Sequence, residues 1–185
     1  MLLADVVATS TQVAATRSRK AKTAAFAELF ARVKGSNAEE IETVTSYLAG
    51  SLRQRRTGLG WRSMQSVPSP AAEASLTVLE VHQAFERIAA LSGSGSQGAR
   101  AAATAELFGR ATAEEQPWLR GIVTGEVRQG ALDSLVQEGL AAAGGVPLAA
   151  VRRAAMMAGS TVAVSTTTRN SVDAVTSATQ TTPSS

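Results

Sequence analysis

The sequence predicts an all-α fold, and three observations lead to this prediction. Aromatic residues make up only 4% of the chain, so alanine, leucine and valine must supply most of the buried area, and the first two are strong helix formers. Apolar residues recur every three to four positions, and few segments alternate with the period of a strand. Three Ser/Thr-x-x-Glu pairs have the spacing of a capping box, in which two side chains satisfy free amides at a helix start. These pairs are Ser36 with Glu39, Thr77 with Glu80, and Thr112 with Glu115.

In the first half of the chain, apolar stripes and caps predict four helices. Phe26, Leu29, Phe30 and Val33 lie at positions i, i+3, i+4 and i+7, which places them on one face of a helix. Similar stripes follow the first two capping boxes. The predicted helices are residues 3–14, 18–34, 37–49 and 77–91, with ends defined to about two to four residues.

The second half contains four further predicted helices. An apolar stripe runs from Leu132 to Leu140, and Pro147 suits the first turn of the helix that follows. Pro117 removes an intrahelical hydrogen bond a few residues after Thr112, so the helix there is expected to start later or to bend. The predicted helices are residues 98–110, 113–124, 131–143 and 147–158.

Two segments lack a helical pattern. Between Gly50 and Ala74, arginines crowd around two glycines, and an extended Val-Pro-Ser-Pro connector follows at residues 67–70. This segment either divides two helical lobes or forms a long basic loop within one domain, and we favour one domain. From Ser160 onward, 14 of the 26 residues are serine or threonine, so little apolar surface is available to offset the entropy of ordering. We therefore predict a helical domain at residues 1–159 and a disordered tail at residues 160–185.

Composition excludes several classes of protein. The absence of cysteine excludes disulfides and thiolate metal sites, and the one histidine, His82, leaves no set of histidines for a zinc site. His82 lies beside an apolar stripe and is expected to be partly buried or at the surface. No stretch approaches the roughly 20 apolar residues that span a bilayer, and the N-terminus lacks the pattern of a signal peptide, so we expect a cytoplasmic protein without membrane contact. No constellation of acid, base and nucleophile stands out, so we predict no catalytic residue and no metal site.

The first candidate for a nucleic-acid contact is a basic group at the start of the second predicted helix. The net charge is +3, and all but three of the 18 basic residues are arginine, which contacts phosphate in a planar, bidentate way. Arg19 lies within this group, residues 17–22, where the free amides and the macrodipole of a helix N-terminus attract phosphate. An ordinary solvated helix face explains the same pattern equally well.

The second candidate is formed by Arg53, Arg55 and Arg56, which precede a loop containing Gly58 and Gly60. Arginines beside glycines suit a loop that tracks a phosphate backbone, and phosphate contacts supply most of the affinity in nucleic-acid complexes. The alternative is a flexible surface loop that Trp61 anchors to the core. For the Trp61 side chain itself, we favour a place in the core over a role as a platform for base stacking.

Two glycine-broken segments form the third candidate, and each has an alternative interpretation. A Gly/Ser segment ahead of a predicted helix offers amides, hydroxyls and a nearby arginine that could hold a phosphate, but such a segment is also typical of a flexible linker. In the second segment, glycine would let an arginine approach a groove closely, unless this arginine is only a charge near a helix C-terminus. The candidate contacts in these segments are Gly93, Ser94, Gly95, Ser96, Arg100, Arg128 and Gly130.

Several short segments, taken in order, point to one family. They are residues 16–22, residues 46–50 with the basic stretch to 61, and residues 76–78, 88–96, 105–108, 125–130 and 151–155. Over roughly residues 1–159 the chain resembles the N-terminal DNA-binding domain of ATP-dependent DNA ligases of the actinobacterial type. The resemblance implies an all-helical clamp that holds nicked duplex DNA from the minor groove, through phosphates and sugars. It places the Gly/Ser segment and the segment with Arg128 and Gly130 among the DNA contacts.

The chain departs from the family beyond this region. A ligase forms its lysyl-AMP on a Lys-x-Asp-Gly motif, and none of Lys20, Lys22 or Lys34 is followed by that pattern. The resemblance implies, for a full-length ligase, a nucleotidyltransferase domain and an OB-fold domain as partners, with ATP and Mg²⁺ as cofactors. A truncated or frame-shifted reading frame, or a fragment, would produce a sequence that departs from the family in this way. We expect a nucleoid-associated DNA-binding module that acts in repair, replication or recombination and is inactive alone. The alternative is an all-α protein-interaction module without nucleic-acid binding.

Overall fold

The computed structural model describes residues 1–127, 132–158, 160–162 and 165. Within these residues it contains α-helices and no β-strand, which confirms the all-α prediction. Each predicted helix is present, with both ends within two residues of the prediction. The helices are α1 (Leu3–Ala15), α2 (Arg19–Val33), α3 (Ala38–Leu48), α4 (Val78–Ala90), α5 (Ser96–Arg110), α6 (Glu115–Thr124), α7 (Leu132–Gly144) and α8 (Leu148–Ala158).

Two of the three predicted capping boxes are present. Thr77 and Glu80 exchange side-chain to backbone hydrogen bonds of 2.8 and 3.1 Å at the start of α4. Thr112 and Glu115 make the same exchange at 3.0 and 3.3 Å. Helix α6 begins only at Glu115, later than the cap alone suggests. Pro117 therefore lies in the first turn of this helix, where its missing N–H costs no intrahelical hydrogen bond.

The cap of α3 is shifted by one residue from the prediction. Asn37, and not Ser36, is the N-cap, and its side chain accepts a 2.8 Å hydrogen bond from the N–H of Glu40. The predicted box of Ser36 with Glu39 is wrong, because asparagine caps a helix as well as serine does and the two residues are adjacent. The Glu40 carboxylate pairs with the N-terminal ammonium of Met1, which ties α3 to the first residue.

The core is one cluster of apolar side chains to which every helix contributes. Helices α2 and α7 form the most extensive pair, while α3 packs on α4 and α4 on α5. The α2–α7 pair is close enough to need a glycine, since a Cβ on Gly139 would lie 2.7 Å from the Cβ of Phe26. The packing of α3, α4 and α5 fixes the bases of the two loops that connect these helices.

The long connection between α3 and α4 is attached to helices over its second half. The Ala71 N–H donates a 2.9 Å hydrogen bond to the carbonyl of Ala111, and the Gln116 side chain donates one of 3.0 Å to the carbonyl of Pro68. A short 3₁₀ turn, Trp61–Met64, buries its last residue in the core. The arginine-rich first half is therefore followed by a segment that is fixed to the helices.

The beginning of the serine- and threonine-rich tail contacts the helical part. Thr161 is buried, and its hydroxyl accepts a 2.9 Å hydrogen bond from the Gln137 side chain of α7. Nearly all of the tail predicted to be disordered lies outside the described residues. Among the residues that are described, no helix is both long enough and apolar enough to cross a membrane.

Candidate nucleic-acid interface

The Gly/Ser loop, residues 92–95, connects α4 to α5 and is exposed along its length. Gly93 and Gly95 have φ values of +83° and +79°, a region that residues with a Cβ rarely adopt. Gly95 is the N-cap of α5, and no side chain caps the helix there. The Ser96 N–H donates a 3.3 Å hydrogen bond to the carbonyl of Gly93, so the amides of Gln97 and Gly98 are the ones left for an external acceptor. Ser94 is exposed, whereas Ser96, the first residue of the helix, is half-buried. The loop thus has the geometry that phosphate contact requires.

Arg100 lies on α5, and its guanidinium turns back toward the loops. Nη2 donates a 2.9 Å hydrogen bond to the carbonyl of Leu91, the C-cap residue of α4, and Nε is buried without a partner. The same group lies across the backbone of Gly58, where an added Cβ would be 2.8 Å from Nε and 2.9 Å from Cζ. Arg100 therefore brings the start of the Gly/Ser loop next to the turn at Gly58.

The basic loop, residues 53–60, has an anchored first half and an exposed second half. Arg53 donates hydrogen bonds of 2.8 Å to Oε2 of Glu42 and 3.2 Å to the hydroxyl of Thr43, both on α3. Arg55 and Arg56 are exposed and have neither a hydrogen bond nor an ion pair with any described residue. Of the three arginines predicted to contact DNA, two are thus presented to solvent and one holds the loop to the fold.

Gln54 extends the anchored half by contacting α4. Its side-chain nitrogen lies 3.2 Å from Nδ1 of His82 and 2.5 Å from Oε1 of Glu86. His82 is 5% exposed, more deeply buried than the sequence suggested, and burial followed by the charge of Arg53 lowers the pKa of its imidazole. Because the amide nitrogen is a donor, the imidazole accepts through Nδ1 and carries its proton on Nε2, which faces Glu39 at 3.6 Å. The neutral form of His82 is the one that holds Gln54.

Trp61 is at the surface, so its interpretation as a core residue is wrong. Its side chain is 55% exposed, whereas Met64 in the same 3₁₀ turn is fully buried and fills the core position. The hydrophobicity of a residue predicts burial well on a periodic element, but this loop has no period. An exposed indole beside the exposed Arg62 is a candidate contact, the role that the sequence supported less.

Arg19, at the start of α2, contacts α7 within the fold. Its Nη2 lies 2.5 Å from Oε1 of Glu138, and hydrogen bonds from Arg19 lower the pKa of this carboxyl. Arg152 of α8 approaches the same carboxylate at 3.8 Å. Arg17 and Lys20 are exposed and contact no partner among the described residues. The basic group at α2 therefore also divides into paired and free cations.

Arg128 and Gly130 lie outside the described residues, so their assignment stays a prediction. The residues on either side of this segment, Val127 and Leu132, line a cavity of about 200 Å³. Tyr47 also lines this cavity; its hydroxyl is buried without a hydrogen bond, and burial raises the pKa of the phenol. The segment predicted to contact DNA is thus flanked by residues that pack beside α3.

The predicted site residues fall into groups that the sequence did not separate. The Gly/Ser loop and part of the basic loop are exposed, while three guanidinium groups make contacts within the fold. Exposed residues are Gly93, Ser94, Gly95, Arg55 and Arg56; the internally bonded arginines are Arg19, Arg53 and Arg100. The contact of Gly58, in the basic loop, with Arg100 on α5 had no sequence signal, because it depends on how the helices pack.

Comparison with known proteins identifies the family. Residues 62–141 match the family model described as DNA ligase N terminus. A probable DNA ligase of a Nocardioides species is 72% identical over 166 residues, which is 89% of this chain and 33% of the relative. Probable DNA ligases of Kineococcus radiotolerans and Mycolicibacterium vanbaalenii are 66% and 51% identical over 88% and 89% of this chain, and 32% and 31% of their own lengths.

The chain spans about a third of the length of the curated relatives that it matches. The matched family is described by its N-terminal position, and the helical fold and the order of the segments agree with the resemblance drawn from the sequence. This chain belongs to the DNA ligase family and carries the N-terminal domain of such a ligase.

Proposed function

We propose that this chain is the DNA-binding module of an ATP-dependent DNA ligase, which holds nicked duplex DNA while the break is sealed. Its membership of the DNA ligase N-terminal family supports the proposal. The observation that carries it is the placement of the Gly/Ser loop beside the basic loop, with Arg100 between Leu91 and Gly58. Two segments that are each suited to phosphate are thereby combined into one surface.

The chemistry of this surface favours contact with the DNA backbone over reading of bases. Arg55 and Arg56 offer free guanidinium groups, which bind phosphate oxygens through parallel N–H donors. The uncapped start of α5 offers backbone amides and the positive end of a helix dipole. Contacts of these kinds position a protein on DNA without specifying a sequence. A protein that seals nicks needs this indifference, because a nick can occur in any sequence.

Trp61 adds a contact of another kind to the proposed surface. Its exposed indole lies two residues from Leu59 of the basic loop and next to Arg62. An indole can pack against sugars or unstacked bases irrespective of their identity. We therefore include Trp61 among the residues that touch DNA, together with the backbone of the Gly/Ser loop.

In our proposal, ATP and Mg²⁺ serve the full-length ligase and this chain contributes binding alone. The three lysines lack the Lys-x-Asp-Gly pattern, and the described residues contain no group of three or more His, Asp or Glu that could hold a metal ion. The described residues therefore do not fit the covalent attachment of AMP or the binding of Mg²⁺. The nucleotidyltransferase and OB-fold domains would act beside this one on the same nick, in repair, replication or recombination at the nucleoid.

A titration with duplex DNA tests the proposal. Affinity for nicked duplexes of two unrelated sequences, measured by fluorescence anisotropy, should be equal and should fall steeply with salt, by a log–log slope of about 0.9 per phosphate contacted. Trp61 is 55% exposed and Trp118 is 7% exposed, so DNA should change the emission of the Trp118→Phe variant and leave that of Trp61→Phe unchanged. Absence of binding at low salt would refute the proposal and favour a protein-interaction module.

A further inference from the structure

We propose that Arg100 is a positioning residue that joins the Gly/Ser loop and the basic loop into one unit by lying across Gly58. The role of this coupling in DNA binding rests on the proposed function, but the coupling itself is a property of the protein without DNA. It assigns Arg100 a role different from that of a phosphate ligand, and it gives Gly58 a role that its place in a loop does not reveal.

The first part of the argument is the hydrogen bonding of Arg100. Its Nη2 donates to the carbonyl of Leu91, the C-cap residue between the end of α4 and the Gly/Ser loop. Arg100 itself is the fifth residue of α5, one turn after the loop. The side chain thus spans the loop and connects the helix before it to the helix after it. A guanidinium can do this because it offers several N–H donors in a fixed plane.

The second part is the contact with the basic loop. Nε, Cζ and Nη2 of Arg100 would lie 2.8, 2.9 and 3.2 Å from a Cβ at Gly58. Gly58 also has a φ of +72°, so glycine fits there both in conformation and in space. The atoms in contact belong to the end of a flexible side chain, and an added methyl group would displace the guanidinium rather than unfold the domain. The absence of a side chain at Gly58 therefore leaves the space that the Arg100 guanidinium occupies.

Matched glycine variants test the coupling in the free protein, by hydrogen–deuterium exchange at residues 92–99. Gly58→Ala should accelerate exchange there, because the displaced guanidinium no longer holds Leu91. Gly60→Ala should leave exchange unchanged, since an added Cβ has nothing within 4 Å and φ is not positive. Gly35→Ala controls for backbone strain, since its φ is +94° and its surroundings are open. Wild-type exchange in Gly58→Ala, or equal acceleration in Gly35→Ala, would overturn the inference.

Substitution of the arginine separates positioning from simple charge. Arg100→Lys keeps the positive charge but loses the planar fork, so a positioning role predicts that it weakens duplex binding as much as Arg100→Ala does, about tenfold for one charged hydrogen bond. A role as a phosphate ligand predicts that Arg100→Lys binds nearly as wild type. That result would overturn the inference. Accelerated exchange in Gly58→Ala without DNA binding by any variant would support the coupling while refuting the proposed function.

Discussion

Arg53 and Arg55 stand two positions apart in the basic loop, yet their side chains serve different purposes. Arg53 contacts Glu42 and Thr43 of α3, whereas Arg55 is exposed and pairs with no described residue. At the start of α2, Arg19 contacts Glu138 while Arg17 is exposed in the same way. In both places a carboxylate on a neighbouring helix engages one arginine and leaves the other without a partner, although the Arg19 side chain stays exposed. The comparison teaches that counting basic residues overestimates the number of free cations on the proposed binding surface.

The largest effect is expected from the exposed half of the basic loop. The double variant Arg55→Ala with Arg56→Ala should weaken duplex binding by about tenfold or more, and the slope of its salt dependence should decrease by about two, because each arginine neutralises one phosphate in our proposal. Its melting temperature should stay that of the wild type. Lys34→Ala, which removes an exposed cation outside both loops, is the matched control and should bind nearly normally. A double variant with unchanged salt dependence would contradict the comparison.

The anchored half should show the opposite pattern. Arg53→Ala removes a half-buried ion pair and should lower the free energy of unfolding by about 1 kcal/mol, which corresponds to a fall in melting temperature of about 2–4 °C. Its salt dependence of DNA binding should be unchanged, because Arg53 contacts no phosphate in our proposal. Thermal unfolding and anisotropy on the same sample measure both quantities. Arg55→Ala is the control, and a loss of stability equal to that of Arg53→Ala would remove the distinction.

The smallest effect concerns pH and the contact of His82 with Gln54. Burial, with the charge of Arg53, lowers the pKa of His82, while Glu86 and Glu39 oppose the shift. The unfolded chain therefore binds a proton at higher pH than the folded protein does, so the stability contributed by neutral His82 is complete above pH about 6.5 and is lost as pH falls below it. Thermal unfolding between pH 7.5 and 5.5 should show this loss. His82→Gln should flatten it, and an equal slope in this variant would assign the loss to other groups.

Glu80 and Glu138 contribute to stability in a lower pH range than His82 does. The backbone hydrogen bond from Thr77 lowers the pKa of Glu80, and hydrogen bonds from Arg19 lower that of Glu138, in each case from a usual value of 4.5. The stability that these two groups contribute is therefore present above that value and is lost only in more acidic solution.

The sequence predicted the helices well because their information is local. Apolar stripes and caps are read within one or two turns, and every predicted helix appears within two residues of its place. The error at α3 is equally local, since Ser36 and Asn37 can both cap and the sequence does not choose between them. The error at Trp61 has another cause. In a loop without a periodic pattern, the sequence does not show which side chain packs into the core, and here Met64 is buried while Trp61 is exposed.

The division of the basic residues was not predictable from the sequence. Arg53 and Arg55 have the same chemistry and flank the same glutamine, Gln54, and only the packing of α3 brings Glu42 to one of them. The inward turn of Arg100 depends on Gly58, which lies on another connection of the fold. Sequence reasoning therefore located the two loops as candidates, while tertiary contacts decide which side chains within them are free.

The α2–α7 pair has a consequence for how this protein is made. Arg19 and Glu138, which meet across it, are separated by 119 positions, and the glycine contact at Phe26 belongs to the same pair. During synthesis at about 5–20 residues per second, α2 leaves the ribosome several seconds before α7 exists. During this interval the apolar face of α2, which includes Phe30, lacks α7, the helix with which α2 makes its most extensive contacts. We expect nascent chains stalled before residue 132 to be held by chaperones and those stalled well beyond residue 144 to be released.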